Sequence, residues 1–420
     1  MTYSKYNVLT KIGNRKIVYN LVTDSVITDL DKDFESLMEV KKSSGSLNYV
    51  PRKLLESKFV VESHDDELSD LLDACNKIIT SLDELTVVIG TTLNCNFACI
   101  YCKQEHRVDT NMSDATLSDI IDFIKGRYDV HPFKKLNISF FGGEPMLNHR
   151  CVESAITIIS QFAQDNGIEL YYSFTTNGSV IRDKTMELLA THKVSFQITV
   201  DGSPDIHNKN RPFGNGGPSY QIIMSNIEKI LYRLPYARVV LRLNYDISVK
   251  PHDYYALLNS INGFPKERIA ISLNKIFQID GTLVPIKNYL AVIALFNRFG
   301  FAVNSSTICK SLCSASYLNY AFFRYDGKRV ICSSTSDISD KYSDELINIS
   351  EKRKNALTYI ADECKECIFL PKCMNNCVIR KIDRSKCRKY LPDEIAAQLY
   401  VKQELIRKKA NVTKNSKQIF

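Results

Sequence analysis

The 420-residue sequence lacks several features that would exclude an ordinary globular fold. It has no run of about 18 apolar residues, so no membrane-spanning helix or membrane partner is expected. Its first residues, MTYSKYNVLTKIGNRK, lack the apolar core and cleavage site of a secretory signal, which predicts a cytoplasmic protein. No internal repeat or low-complexity segment is present, which argues against a solenoid. The composition and length are typical of a globular protein with two or three domains.

The sequence also lacks a strong excess of either charge. It contains 55 Lys and Arg against 47 Asp and Glu, a formal net charge of +8. This moderate excess gives no reason to predict a nucleic-acid partner. The basic residues near the C-terminus, in 401–420, are typical of a solvated helix end and tail.

Cysteine is plentiful, with 13 residues. In a reducing compartment, clustered thiols more often bind metal than form disulfides. Cys95, Cys99 and Cys102 have the spacing C-x3-C-x2-C. Three thiolates can hold three irons of a [4Fe–4S] cluster and leave the fourth iron open to a small molecule. The spacing alone leaves two alternatives, a zinc site completed by His106 and buried core thiols.

Three regions differ in their hydrophobic pattern. Residues 1–85 read as short hairpin strands, helical segments, a further strand and a charged amphipathic helix. Residues 86–304 alternate six apolar strands with helices, which predicts an α/β fold with a partial (β/α)6 barrel whose reactive residues lie at strand ends. Residues 305–400 are rich in Cys and poor in regular patterning, which predicts a segment that folds around metal. Residues 401–420 form the basic end.

Several ordered motifs in the predicted barrel resemble those of the radical SAM superfamily. Tyr101 stands before the last Cys of the first cluster, and the strand-end strings FFGGEP, SFTTNG and ITVDG follow in order. The resemblance implies that S-adenosylmethionine binds the open iron and that its reductive cleavage yields a 5′-deoxyadenosyl radical. It further implies that Glu144 pairs with the amino group of S-adenosylmethionine. The full set of implied cofactor contacts is Tyr101, Gly142, Gly143, Glu144, Ser173, Asn177 and Asp201.

The downstream cysteines resemble the SPASM extension of these enzymes. The pattern runs C-x13-G-x4-C, with Gly327 as its glycine, then C-x2-C-x5-C-x3-C and a final Cys after nine residues. A zinc ribbon is the alternative. The resemblance implies two more [4Fe–4S] clusters, one held by Cys313, Cys332, Cys377 and, less securely, Cys309, the other by Cys364, Cys367, Cys373 and Cys387. The remaining Cys75 and Cys151 fit ordinary burial.

SPASM enzymes mostly modify peptides or proteins, and two further features narrow the substrate. Residues 1–85 resemble the winged-helix-like leader-recognition module of peptide maturases, although a structural cap on the barrel is the alternative. Ser333 stands where similar sulfatase maturases place an Asp base, with Asp337 nearby. We therefore expect a maturase that crosslinks a ribosomal precursor peptide through a C–C, C–O or thioether bond. Sulfatase-type oxidation of Ser or Cys is the alternative among enzymes.

A protein that uses its clusters only to bind or carry electrons is the non-enzymatic alternative, against which the S-adenosylmethionine motifs argue. As an enzyme, the protein would require a reductant such as flavodoxin or ferredoxin.

Overall fold

The computed structural model describes residues 1–12, 15–43, 49–102, 104, 110–245, 250–275, 286–305, 313–333, 360 and 362–374. These residues belong to two compact units. The first contains the described residues up to 80, 313–317, 360 and 362–374, and the second contains 81–305 and 318–333. None of the described helices combines the length and hydrophobicity that a membrane-spanning segment needs.

The N-terminal part of the first unit contains two small antiparallel sheets and three helices. Strand β1 (Thr2–Tyr3) pairs with β5 (Val60–Val61), while β2 (Asn7–Ile12), β3 (Arg15–Asn20) and β4 (Val26–Thr28) form a sheet in the order β2-β3-β4. The helices are α1 (Phe34–Lys42), α2 (Arg52–Glu56) and α3 (His64–Thr80). These elements occur in the order that the hydrophobic pattern predicts for residues 1–85.

A small core explains why these short elements are stable. In α1 the buried residues Phe34, Leu37 and Val40 lie on one face, because they are three positions apart. They pack against Val18 of β3 and Leu54 of α2, which are fully buried. The first helix therefore covers one side of the hairpin.

The second unit is built on a nine-stranded sheet in the order β12-β11-β10-β9-β8-β7-β6-β13-β14. All neighbouring pairs are parallel except β13 with β14. The strands are β6 (Glu84–Thr92), β7 (Lys135–Gly142), β8 (Glu169–Thr176), β9 (Lys193–Thr199), β10 (Ala237–Tyr245), β11 (Ile269–Lys275), β12 (Ala302–Ser305), β13 (Tyr320–Phe323) and β14 (Arg329–Val330). The six predicted strands are β6 to β11, so the predicted parallel α/β fold is confirmed.

Helices connect these strands as βαβ units require. They are α4 (Asp114–Val130), α5 (His149–Asp165), α6 (Asp183–Leu189), α7 (Pro204–Asn210), α8 (Tyr220–Arg233), α9 (Tyr255–Ile261) and α10 (Ile286–Arg298), with short 3-10 helices at Pro145–Asn148, Pro251–Tyr254, Lys266–Arg268 and Ser314–Ser316. Side chains alternate along the strands. In β8, Tyr172 and Phe174 are buried and the Tyr172 hydroxyl donates to the Ile156 carbonyl of α5 at 3.1 Å.

The opposite face of the sheet carries half-buried polar side chains on three neighbouring strands. Ser139, Ser173 and Ser195 occupy the same register on β7, β8 and β9, and all three are half-buried. Strands covered on both faces read as continuous apolar runs, whereas these strands alternate. One face of the sheet therefore packs on helices while the other keeps room for polar groups.

The described C-terminal residues belong to the first unit. They form two short helices, α11 (Asp362–Lys365) and α12 (Leu370–Cys373). Leu370 and Met374 share a buried cluster with Tyr6, Tyr19 and Leu21 of the N-terminal part. Two polar contacts accompany this cluster: Lys372 Nζ lies 2.7 Å from Asp24 Oδ1, and Lys5 Nζ donates to the Lys365 carbonyl at 3.1 Å. The Cys-rich segment thus completes the core of the N-terminal residues.

Candidate cofactor site

The motifs of the second unit meet where parallel strands end. The cysteine loop follows β6, Gly143 and Glu144 follow β7, Asn177 follows β8, and Asp201 lies two residues beyond β9. Because the carboxyl ends of parallel strands lie on one edge of a sheet, residues far apart in sequence become neighbours there.

The three N-terminal cluster cysteines lie on this loop with unequal exposure. Cys95 and Cys99 are half-buried, and Cys102 is exposed. Burial raises the pKa of Cys95 to about 11 and also raises that of Cys99, where the Arg211 charge opposes the effect. The thiolate is the metal-binding form, so these thiols need a cationic partner to ionise. The described residues contain no group of three or more His, Cys, Asp or Glu arranged to hold a single metal ion.

The segment after α7 braces the cysteine loop through backbone contacts. Ala98 N donates to Pro212 O at 2.9 Å, and Ile100 N donates to Asn210 O at 3.0 Å. The Phe97 and Phe213 rings meet edge to face, with centroids 4.9 Å apart. These contacts join the cysteine loop to the segment 210–213 that follows α7.

Gly142 and Gly143 allow the end of β7 to approach the loop closely. Gly142 has φ of 152°, and a Cβ there would lie 2.3 Å from the Thr92 carbonyl oxygen. A Cβ on Gly143 would lie 2.4 Å from Asn94 O. The backbone instead forms two hydrogen bonds, Gly143 N to Thr92 O at 2.9 Å and Glu144 N to Asn94 O at 2.7 Å. Only glycine fits at these two positions, and we call Gly142 and Gly143 the glycine cradle.

Glu144 is completely buried and its carboxylate joins two strand ends. Oε1 accepts from Met146 N at 3.0 Å and Thr176 Oγ1 at 2.7 Å, while Oε2 accepts from Asn177 N at 2.6 Å. Burial raises the pKa of Glu144 to about 7, and these hydrogen bonds oppose that rise. A carboxylate has about four acceptor positions, so one remains for a further donor.

Asn177 connects the end of β8 to the cysteine loop. Its Nδ2 lies 2.8 Å from Asn96 Oδ1 and 3.9 Å from Cys95 Sγ. Its Oδ1 accepts from the backbone and hydroxyl of Ser179 at 2.8 and 2.6 Å. Ser173 lies outside this network, three residues before the end of β8 on the open face of the sheet. The structure therefore brings Glu144 and Asn177 to the loop and leaves Ser173 further along the strand.

Tyr101 and Asp201 meet in a second buried network. The Tyr101 hydroxyl donates to Asp201 Oδ2 at 2.5 Å and accepts from Arg211 Nη1 and Asn244 Nδ2, each at 3.0 Å. Burial raises the pKa values of both Tyr101 and Asp201, and Arg211 opposes both shifts. The aromatic residue of the cysteine motif is thus tied to the ends of β9 and β10.

Arg211 is a site residue that the sequence prediction missed. Arg211 is only 6% exposed, and among the described residues its Nε has no hydrogen-bond partner. Burial lowers its pKa, but Tyr101, Cys99 and Asp201 more than offset this and hold it charged. A buried guanidinium with an unused donor is suited to an anionic ligand. The sequence signal was an Arg in the string HNKNRPFG, which alone is ordinary.

The downstream cysteines are only partly within the described residues. Cys313 is exposed at the start of the 3-10 helix Ser314–Ser316, and Cys332 is half-buried. Cys364, Cys367 and Cys373 are half-buried, and Cys367 N donates to Cys364 O at 3.1 Å. The residues Cys309, Cys377, Cys387, His106 and Asp337 lie outside the described residues. The two predicted auxiliary ligand sets therefore stay predictions.

The family comparison decides the identity of the second unit. The model of the Radical SAM superfamily matches residues 89–243, which include the cysteine loop, Glu144, Asn177 and Asp201. The chain contains a radical SAM domain. This confirms the family resemblance and, with it, a domain type that binds S-adenosylmethionine at a [4Fe–4S] cluster.

The chain is similar to two named enzymes. It is 22% identical over 236 residues to the radical SAM cyclopropyl synthase TigE of Paramaledivibacter caminithermalis, covering 49% of this chain and 48% of TigE. It is 25% identical over 328 residues to the cysteine-type anaerobic sulfatase-maturating enzyme of Clostridium novyi, covering 68% and 85%. The chain thus spans about half the length of TigE.

A solved structure supports the fold across most of the chain. Streptococcus suis SuiB bound to precursor peptide SuiA superposes with a TM-score of 0.52 at 13% identity, covering 93% of this chain and 98% of SuiB. At this identity the likeness concerns the fold.

The glycine cradle gives a direct test of the site. Gly143→Ala should displace the cysteine loop, because the added Cβ meets two backbone carbonyls that cannot move away separately. After anaerobic reconstitution we expect a loss of about four Fe per chain. Gly263→Ala is the control, since a Cβ at Gly263 meets nothing within 4 Å. Wild-type iron content in Gly143→Ala would contradict the cradle.

Proposed function

We propose that this chain is a radical SAM/SPASM maturase that installs a side-chain crosslink in a ribosomally synthesised precursor peptide. The observation that carries the proposal is the strand-end site, where a buried carboxylate and a buried guanidinium flank a three-cysteine loop within a radical SAM domain. Such paired charges are suited to a zwitterionic ligand. A protein that only carried electrons would have no use for them.

The donor set fits a [4Fe–4S] cluster with bound S-adenosylmethionine. Cys95, Cys99 and Cys102 would hold the cluster, and the glycine cradle leaves the backbone accessible beside them. When bound, the pair supplies a 5′-deoxyadenosyl radical that removes a hydrogen atom from the substrate. The cofactor provides this reactivity, and the protein provides binding, orientation and exclusion of water.

The buried charges of the site would orient the methionyl group. Glu144 has one acceptor position left for the amino group, in addition to its bonds to the ends of β7 and β8. Arg211 offers its unpartnered Nε to the carboxylate. Asp201 and Tyr101 would contact the nucleoside part from the next strand ends, and Ser173 lies deeper on the open face.

The polar face of the sheet would receive the peptide residue to be modified. Ser139, Ser173 and Ser195 form one half-buried row across β7, β8 and β9. Hydroxyl groups can donate to and accept from peptide amides, so the row suits an extended backbone. The substrate would then displace water from the same face on which the reaction occurs.

The C-terminal cysteines would hold two auxiliary [4Fe–4S] clusters in the SPASM arrangement. In the C-x2-C pair, Cys364 lies in α11 and Cys367 follows it before α12, and the Cys367 N to Cys364 O hydrogen bond joins them. A buried tyrosine hydroxyl without a protein partner lies in the same core, which suits a ligand with sulfur acceptors. A flavodoxin or ferredoxin would supply electrons.

Residues 1–85 would bind the leader of the precursor. Among the described residues, β2 pairs only with β3, so its other edge can accept an added strand. Along β2, Leu9 is 40% exposed and Lys11 is exposed, and Lys11 lies opposite Lys16. Two adjacent lysines favour a leader with acidic side chains.

A second function is supported by the relative from Clostridium novyi, which is a cysteine-type sulfatase-maturating enzyme. In that case the substrate would be a Ser or Cys of a protein, oxidised without a crosslink. Ser333 in place of an Asp base disfavours it. The two products differ chemically, because an aldehyde reacts with a hydrazide reagent and a side-chain crosslink does not.

Iron content tests the three-cluster prediction. The anaerobically reconstituted protein should hold about 12 Fe per chain, and joint replacement of Cys95, Cys99 and Cys102 by Ala should leave about eight. Iron and labile sulfide analysis, with zinc measured in parallel, provides the count. Zinc at the C-terminal thiols, or iron near four per chain, would refute the SPASM arrangement.

Glu144→Gln tests the cofactor contact. The variant loses the negative charge that would hold the amino group, so we expect S-adenosylmethionine to bind at least tenfold more weakly, about 1.4 kcal/mol. Formation of 5′-deoxyadenosine should slow while iron content is unchanged. The control is Glu153→Gln, another buried carboxylate, which lies on α5 and contacts Thr185. Equal affinity in the two variants would argue against this role.

The leader site is tested with point variants, because deletion of residues 1–80 would also expose Leu370 and Met374. The ligand is the leader of a precursor peptide encoded next to the gene of this protein. We expect it to bind the full-length protein with roughly micromolar affinity. Leu9→Asp combined with Lys11→Glu should weaken binding about tenfold, as measured by calorimetry.

The control for the leader site is Leu30→Asp combined with Lys53→Glu, which makes the same changes at exposed positions outside β2. It should bind the leader normally. The product peptide should lose two hydrogens per event and fail to react with hydrazide. A larger loss in the control pair than in the β2 pair would place the leader elsewhere.

A further inference from the structure

Tyr6 is a buried residue whose hydroxyl the fold itself does not use. It lies between β1 and β2 and is 0% exposed. Among the described residues its hydroxyl has no hydrogen-bond partner. Its ring belongs to the buried cluster that contains Leu370 and Met374, against which the partly buried Cys364 packs. A buried hydroxyl without a partner is rare, because it loses its hydrogen bonds to water.

The backbone around Tyr6 is held on both sides, so its ring has little freedom to turn away. Tyr6 N donates to Ser4 Oγ at 3.1 Å, and Tyr6 O accepts from Leu21 N at 3.0 Å. Lys5 Nζ lies 5.5 Å from the Tyr6 ring centroid and also donates to the Lys365 carbonyl. The tyrosine is therefore fixed against the segment that carries Cys364 and Cys367.

The surroundings keep the phenol in its donor form. Burial, followed by the charges of Glu67, Glu366 and Cys367, raises the pKa of Tyr6 above its usual value. The hydroxyl therefore stays protonated at neutral pH. Cys364, a predicted cluster ligand, packs against the buried cluster that contains the Tyr6 ring.

We propose that the Tyr6 hydroxyl donates a hydrogen bond to a sulfur of the [4Fe–4S] cluster held by Cys364, Cys367 and Cys373. This rests on the proposed function, which supplies the cluster. Cluster sulfurs carry negative charge and accept hydrogen bonds, and such bonds favour the more negative reduced state. Tyr6 therefore raises the reduction potential of this auxiliary cluster from within the N-terminal module.

Tyr3 provides a matched control in the same unit. Its hydroxyl is also buried and has no partner among the described residues. Tyr3 packs against the cluster around Val18 and Phe34, whose described members include no cysteine. Burial alone raises the pKa of Tyr3 to about 12. A general effect of removing a buried hydroxyl would therefore appear equally in both variants.

The experiment compares Tyr6→Phe and Tyr3→Phe in full-length protein in which Cys95, Cys99 and Cys102 are Ala, so that only auxiliary clusters contribute. Redox titration followed by electron paramagnetic resonance should show one couple shifted to lower potential in Tyr6→Phe. We expect the reduced-to-oxidised ratio at fixed potential to fall about threefold to tenfold, up to ~59 mV for one electron. In D2O, Tyr6→Phe should also lose one exchangeable deuteron coupled to the reduced cluster.

Each outcome decides the proposal. A shift and a lost deuteron coupling in Tyr6→Phe, with neither in Tyr3→Phe, support it. Unchanged couples with about eight Fe per chain overturn the Tyr6 contact and leave the proposed function intact. Equal shifts in both variants also overturn it. Iron near zero in the Tyr6-intact protein overturns the auxiliary clusters and the Tyr6 contact together.

Discussion

The buried carboxylate of Glu144 is the interaction on which the candidate site depends. It stands on the end of β7, accepts from the backbone and hydroxyl at the end of β8, and its own amide donates to Asn94 at the start of the cysteine loop. Three neighbouring strand ends are therefore held by one residue. A carboxylate buried this completely is stable only because every bond it makes is to a fixed donor.

The sequence predicted the strands that carry this site but few of the contacts between its side chains. The six parallel strands were predictable because each is a short apolar run bounded by turn signals and followed by a helical pattern. Glu144 and Asn177 were found because they follow such strands directly. Ser173 shared the same motif, yet strand alternation places it on the open face, three residues before the strand ends.

Arg211 and the short strands β13 and β14 were missed for different physical reasons. Arg211 lies in a loop, and its importance comes from burial beside Tyr101 and Cys99, which no local pattern encodes. Strand β13 has only four residues, Tyr320–Phe323, and its partner β6 is more than 200 positions away. It pairs in parallel with β6 and antiparallel with β14, so its place in the sheet depends on a distant strand and the isolated segment carries a weak signal.

The first unit joins N-terminal and C-terminal segments, and this changes how the Cys-rich segment should be understood. The many cysteines and weak regular patterning of that segment predicted folding around metal, but Leu370 and Met374 are buried against Tyr6, Tyr19 and Leu21. Lys372 is a polar residue only 7% exposed, and Asp24, to which the Tyr19 hydroxyl donates, neutralises it. Removing Asp24 would leave the buried Lys372 charge without this partner, which is costly. The N-terminal residues therefore fix the backbone on which Cys364 to Cys373 lie. A peptide that bound the edge of β2 would therefore join a sheet that packs in this same core, through Val8 and Tyr19.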